Sequence, residues 1–224
     1  MSYNDYNDND FNTYDDKAKN DKVKRGESLT WQQVWMQTIT NPATATFERI
    51  LEDPQADQNR GFRWIFYVGT LVGVLSLIIN TIQLSSFGYD MGTLLPMLLC
   101  VVILAGPLSL VAFWISSGLL QWIARMFGGY GSYSDFFYAS AAYQAPLQLI
   151  NASLLLFTAS TALLLTNIFL SIYSIVLTAM ALRAVNGFGW GKALATIFIP
   201  GIIVTLAIIG LLSFTMPVSV STSF

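Results

Sequence analysis

The sequence predicts an all-α fold: a polytopic membrane helical bundle of five transmembrane helices, N-terminus cytoplasmic and C-terminus outside or lumenal. Three observations carry that prediction. Between Trp64 and Phe214 the only charged residues are Asp90, Arg125, Asp135, Arg183 and Lys192. Apolar runs of about 20 residues, the length a helix needs to cross about 30 Å of hydrocarbon, follow one another through that stretch. Hydrophobic residues make up 54% of the 224-residue chain and charged residues 11%, whereas a soluble domain is usually nearer a quarter charged. A water-soluble domain has no way to hide such runs.

Residues 1–29 lack the basic start and apolar core of a secretory signal, so targeting falls to the first membrane span. Acids recur at Asp5, Asp8, Asp10, Asp15, Asp16, Asp21 and Glu27. With so little apolar content to offset ordering entropy, this Asn/Asp-rich cytoplasmic tail is expected to be disordered. Tyr3, Tyr6, Phe11 and Tyr14, set among those acids, form a recognition strip for a basic partner, against the plainer reading of a solvated flexible end. In residues 30–63, Trp31, Val34, Trp35 and Ile39 fall at helical spacing, and Thr30 with Gln33 matches a capping box. Asn41 and Pro42 read as cap and first-turn residue of a second helix that carries Phe47, Ile50 and Leu51 on one face and stops before Pro54. The Trp31 and Trp35 rings suit the headgroup layer as interface anchors. Two placements stay open for these amphipathic juxtamembrane helices: on the membrane surface, or packed on the cytoplasmic end of the bundle.

The bundle itself occupies residues 64–214. A first span over 64–84 carries Gly69, Gly73 and Ser76 on one side, a face another helix can approach closely. The second stretch, 93–124, is about 48 Å long as one straight helix. With Pro96 near its start and Gly106 and Pro107 mid-way, a kinked or tilted helix is expected in preference to a re-entrant break. A glycine-rich loop, Arg125 to Ser134 with Gly128, Gly129 and Gly131, leads to a third span over 135–157 containing Gln144, Pro146 and Asn151. The fourth, over 161–184, follows after so few residues that the two must form an antiparallel hairpin. The fifth, over 192–214, contains Pro200 and Gly201, and residues 215–224 form a short uncharged tail on the non-cytoplasmic side. Orientation follows from the basic residues: Arg49, Arg60 and Arg63 precede span one, Arg125 lies between spans two and three, and Arg183 and Lys192 bracket the last loop. The opposite connections hold no Lys or Arg, and such residues are retained on the cytoplasmic side.

Chemistry-bearing residues are few. There is no His, and Cys100 is the only cysteine, so one chain offers neither a disulfide framework nor a Cys/His zinc site. No Gly-x-Ser-x-Gly elbow is present, and Asp90 and Asp135 are expected on opposite sides of the bilayer, which argues against a serine or aspartyl hydrolase. The segment Gly128 to Ser132 lacks the Lys-Ser/Thr of a phosphate loop and reads as a turn. Asn80, Gln83, Gln121, Gln144, Asn151 and Asn167 are polar residues in apolar surroundings. They read as interhelical hydrogen-bonding groups or as the lining of a solute path, and none is ionisable. Six Trp, ten Tyr and fifteen Phe read as anchors and packing residues, so no cofactor or metal is expected.

One set of residues follows in a fixed order along the chain: Asn41-Pro42 with Phe47, Ala105-Gly106-Pro107, Gly128-Gly129 with Gly131-Ser132, Tyr138, Pro146, Ala181-Leu182-Arg183, Gly187 and Lys192-Ala193. In its order and layout this set resembles the Yip-domain family of five-span membrane proteins, named for interacting with Ypt/Rab GTPases in eukaryotes and present in prokaryotes too. In eukaryotic members the resemblance implies vesicle traffic and prenylated GTPase partners. Here Leu104-Ala105 stands where those members often carry Asp-Leu, and the tail is short, so the chain is more similar to compact prokaryotic members. The expectation is a non-catalytic scaffold, organiser or trafficking-type adaptor that engages a protein partner on its cytoplasmic face, in the cell membrane if prokaryotic or an ER/Golgi endomembrane if eukaryotic. The alternative is a small-solute transporter or channel subunit. Partners expected are the lipid bilayer, a cytoplasmic-side protein and a second copy as homo-oligomer, and not nucleic acid.

Overall fold

The computed structural model describes residues 28–86, 91–154 and 160–215. Among them are seven helices and no strand: α1 (Trp31–Thr40), α2 (Thr44–Leu51), α3 (Gln58–Ser86), α4 (Met91–Met126), α5 (Tyr133–Leu154), α6 (Ser160–Asn186) and α7 (Trp190–Thr215). The expected disordered tail, the link around residues 158–160, the connection 85–92 and the final tail lie wholly or partly outside the described residues.

Helix α1 starts where its capping box places it. Gln33 N donates to Thr30 Oγ1 (3.3 Å) and Thr30 N donates to Gln33 Oε1 (2.8 Å), so two otherwise orphan donors are satisfied. The expected start of the second helix is corrected. Asn41 closes α1, its N–H donating to Gln37 O at 3.1 Å, and α2 begins only at Thr44 after Ala43, which makes no side-chain cap. The physical cause is Pro42, whose ring drives the preceding residue out of the α region; Asn41 sits at φ −128°, ψ 73°.

The amphipathic pair packs on the bundle. Val34, Phe47 and Ile50 are fully buried, α1 rests on α5, and α2 rests on α6 and α5. Thr38 Oγ1 lies 3.1 Å from Ala142 O, the Tyr173 hydroxyl donates to Ile39 O, and the Phe47 and Tyr143 rings meet edge to face at 6.0 Å.

Among the described residues three helices are long and apolar enough to cross a membrane, over Gln58–Ile82, Leu99–Met126 and Leu164–Asn186, and Trp190–Ile203 is a shorter apolar segment. Several such helices in one chain make this a multi-pass membrane protein. Helix α3 begins six residues before the expected span, and α4 runs unbroken for 36 residues with Pro96 and Pro107 inside it. The small-residue face of α3 meets α4: a side chain added at Gly69 would strike Ser109, one at Gly73 would strike Ala105, and one at Gly106 would strike Thr70 and Phe66. Helix α5 holds the centre, against α3, α4, α6 and the α1–α2 pair. Its residues 136–143 are all buried. Large apolar side chains such as Leu71, Ile103, Val111, Phe169, Ile203 and Leu206 face outward, as they do on a surface solvated by lipid.

Candidate functional site

The start of α3, the α4–α5 turn, the α6–α7 turn and the α1–α2 pair converge at one end of the bundle, here called the loop end. Two buried polar nodes build it. In the first, Arg60 lies at the start of α3 and Asp53 in the turn after α2. Arg60 Nη1 donates to Asp53 Oδ2 at 2.9 Å and sits 3.4 Å from the Tyr138 hydroxyl, while Nη2 donates to Leu29 O at 2.6 Å. The guanidinium also lies 5.1 Å from the Trp64 ring. The Asp53 side chain has no exposed surface, and it accepts a further bond from Gln55 N at 3.0 Å. One ion pair thus ties four separate parts of the chain together.

The second node joins α4, α6 and the glycine-rich turn. Gln121 Nε2 donates to Gly131 O (2.8 Å) and Asn186 Oδ1 (2.9 Å), and Asn186 Nδ2 donates back to Gln121 Oε1 (3.1 Å). Gly131 N donates to Asn186 Oδ1 at 3.3 Å. Gly128 and Gly187 adopt φ of +84° and +67°, the left-handed region that costs a residue with Cβ, so the two turns can close over this node. Lys192 Nζ donates to Phe127 O at 3.0 Å, and the Arg183 guanidinium stacks 4.5 Å from the Trp190 ring.

An aromatic chain runs from the surface inward: Trp31 to Trp35 at 4.9 Å, Trp35 to Trp64 at 5.9 Å and Trp64 to Tyr138 at 5.4 Å between ring centroids. Trp31 is half exposed and Trp35 is partly buried between its two neighbours. A groove of about 840 Å³ opens beside this chain, lined by Trp31, Trp35, Trp64, Tyr67, Asp57 and Arg63 among others.

The residues singled out in the sequence separate into groups. Gly128, Gly129, Arg183 and Lys192 come together at the loop end. Phe47 is buried under it, and Pro42 sits in the α1–α2 link. Gly106 lies at the α3–α4 crossing, Pro107 faces outward, and Pro146 is buried within α5. Of the polar residues expected within the membrane, Gln144, Asn151 and Asn167 share a groove of about 330 Å³ between α5 and α6 with Gln148, Ser171 and Ser174. Asn80 stands apart on α3, donating to Ser76 O at 2.7 Å. Asp53 and Asn186 were not singled out. An acid just after a helix and an Asn before Gly read as surface and cap residues, and only the tertiary fold brings their partners to them.

Comparison with known proteins places most of the chain in one family. Residues 36–212 match the family model described as Yip1 domain. No curated protein and no solved structure matches.

Proposed function

The chain belongs to the Yip1 domain family, and from that premise we propose that it is a five-span, non-catalytic membrane scaffold or trafficking-type adaptor whose loop end is cytoplasmic and holds a protein partner. The construction of that end carries the reading. Segments distant in sequence are locked by the Asp53–Arg60 and Gln121–Asn186 nodes, so the surface they present is preformed, and binding to it costs less ordering entropy. Tyr130, 81% exposed, and Trp31, 49% exposed, stand at that end of the bundle, Trp31 sharing its groove with Arg63, and Tyr, Trp and Arg are the residue types enriched where interfaces concentrate their binding energy. The five-span count is supported by the lengths of α5 and α7, 22 and 26 residues, about 33 and 39 Å. The cytoplasmic orientation is supported by Arg63, Arg125, Arg183 and Lys192 at the loop end. The host membrane is then the cell membrane in a prokaryote, or an ER/Golgi membrane in a eukaryote.

Affinity purification of the tagged full-length protein in mild detergent, beside Trp31→Ala and Tyr130→Ala, tests this. A stoichiometric protein lost from both variants, while each retains the wild-type melting temperature, supports the scaffold. A second reading, solute transport, is favoured by the polar α5–α6 groove at Gln144, Asn151 and Asn167. Protein-dependent flux in liposomes that Asn151→Ala abolishes, with no partner captured, would replace the scaffold with a transporter.

A further inference from the structure

The groove at the start of α3 has a chemistry of its own. It opens where the outward face of α3 turns apolar: Tyr67 on its wall is 64% exposed, and Leu71, Val74 and Ile78 continue the exposed stripe along the same helix. That places it at the junction of lipid and water, where Trp and Tyr rings accommodate both an apolar body and a polar edge.

The charges in the groove can be counted one by one. Arg60 is committed to Asp53, Leu29 O and the Trp64 face. Arg63, in contrast, makes among the described residues only a long bond to its own helix, Nε to Asn59 O at 3.4 Å. Asp57 carries the remaining acid; its Oδ2 accepts from Asn59 Nδ2 at 2.8 Å and it has no cationic partner among the described residues. Among the described residues the groove therefore holds one spare cation and one spare anion, beside the half-exposed ring of Trp31.

We propose that this groove binds the headgroup of a zwitterionic phospholipid, with Arg63 on the phosphate and Asp57 with the Trp31 face on the ammonium. A guanidinium binds phosphate oxygens through charge-assisted hydrogen bonds. An aromatic face attracts an alkylammonium, and the carboxylate adds a Coulombic contact. A purely anionic headgroup leaves Asp57 uncompensated and facing a like charge, so net-neutral complementarity selects the zwitterion. The acyl chains leave along Tyr67 and Leu71.

The test uses full-length protein in dodecyl maltoside with Trp114, Trp122 and Trp190 replaced by Phe, so that fluorescence reports on Trp31, Trp35 and Trp64. Dihexanoylphosphatidylcholine, added below its micelle concentration, is expected to give a saturable change, and dihexanoylphosphatidylglycerol to bind about tenfold more weakly. Arg63→Gln should weaken both lipids about tenfold, and Arg63→Lys should restore most of the binding. Asp57→Asn should erase the discrimination between the lipids without altering the melting temperature. Glycerophosphocholine, which has the headgroup and no chains, should bind at least about tenfold more weakly than the lipid. The absence of saturation overturns the proposal, as does equal binding of the two lipids by the parent protein. Discrimination that survives Asp57→Asn also overturns it, and equal binding of glycerophosphocholine would assign the groove to a soluble phosphoammonium compound instead.

Discussion

Asp53 is an acid with no exposed side-chain surface, and Arg60 at 2.9 Å is its one ion-pair partner among the described residues. A buried pair gains little over well-packed apolar residues, but removing one member strands the other charge, at about 3–5 kcal/mol. Asp53→Asn and Arg60→Met are each expected to lower stability by about 3 kcal/mol, and the double variant to lose clearly less than the sum. Denaturant unfolding in maltoside micelles measures the cycle, and simple additivity would mean that the two side chains act independently. Asn186 makes a comparable case with neutral groups. Asn186→Ala leaves Gln121 and Gly131 N with unmade bonds, a loss of about 2 kcal/mol in the same assay. At this scale the sequence was readable where a residue announces itself locally. The Thr30 capping box needs only its own four residues, and the buried apolar side of α2 follows from the spacing of Phe47 and Ile50. It was unreadable where the meaning of a polar side chain depends on a partner 65 residues away, as for Asn186 with Gln121.

The α3–α4 crossing sets how tightly the elements can pack. Gly69 and Gly73 on α3 and Gly106 on α4 leave no room for added side chains, so each glycine sustains a close helix approach at the expense of helix propensity. Gly201 on α7 has nothing within 4 Å of an added Cβ. Gly73→Leu should therefore separate the helices and lower the thermal midpoint measurably, whereas Gly201→Ala should leave it unchanged or raise stability by up to about 1 kcal/mol. Equal effects of the two substitutions would show that the crossing is not close-packed. Long helices were legible because apolar runs of this length have few alternatives, and the small-residue face of α3 declared that another helix meets it. What the pattern did not specify is which helix. Nor did it anticipate the restriction Pro42 places on Asn41, because Asn-Pro reads equally well as the end of one helix or the start of the next.

Taken as a whole, the molecule inverts the expectation that its most buried helix is its most apolar. Helix α5 contains Tyr133, Ser134, Asp135, Ser140, Gln144, Gln148 and Asn151 and is not among the helices apolar enough to be recognised as spans, yet it lies at the centre of the packing. The physical reason is that its neighbours, not lipid, solvate its loop-end half. Ser140 there is buried among side chains, and Tyr143 is bonded to Thr178 at 2.7 Å. Hydropathy measures fitness for lipid and is a poor guide to a helix that meets mostly protein, which is why the run over 135–157 reads in the sequence as one more apolar stretch and its central place in the packing does not show there. Topology therefore gives the decisive measurement on the whole architecture. In a Cys100→Ser background, single cysteines at Ser132 and Gly189 are expected to react with a membrane-impermeant maleimide only from the side reached by a cysteine at Gln32. A cysteine at Thr158 should react only from the other side. If Thr158→Cys is instead labelled from the same side as Ser132→Cys, α5 does not cross the membrane and the five-span arrangement must be abandoned.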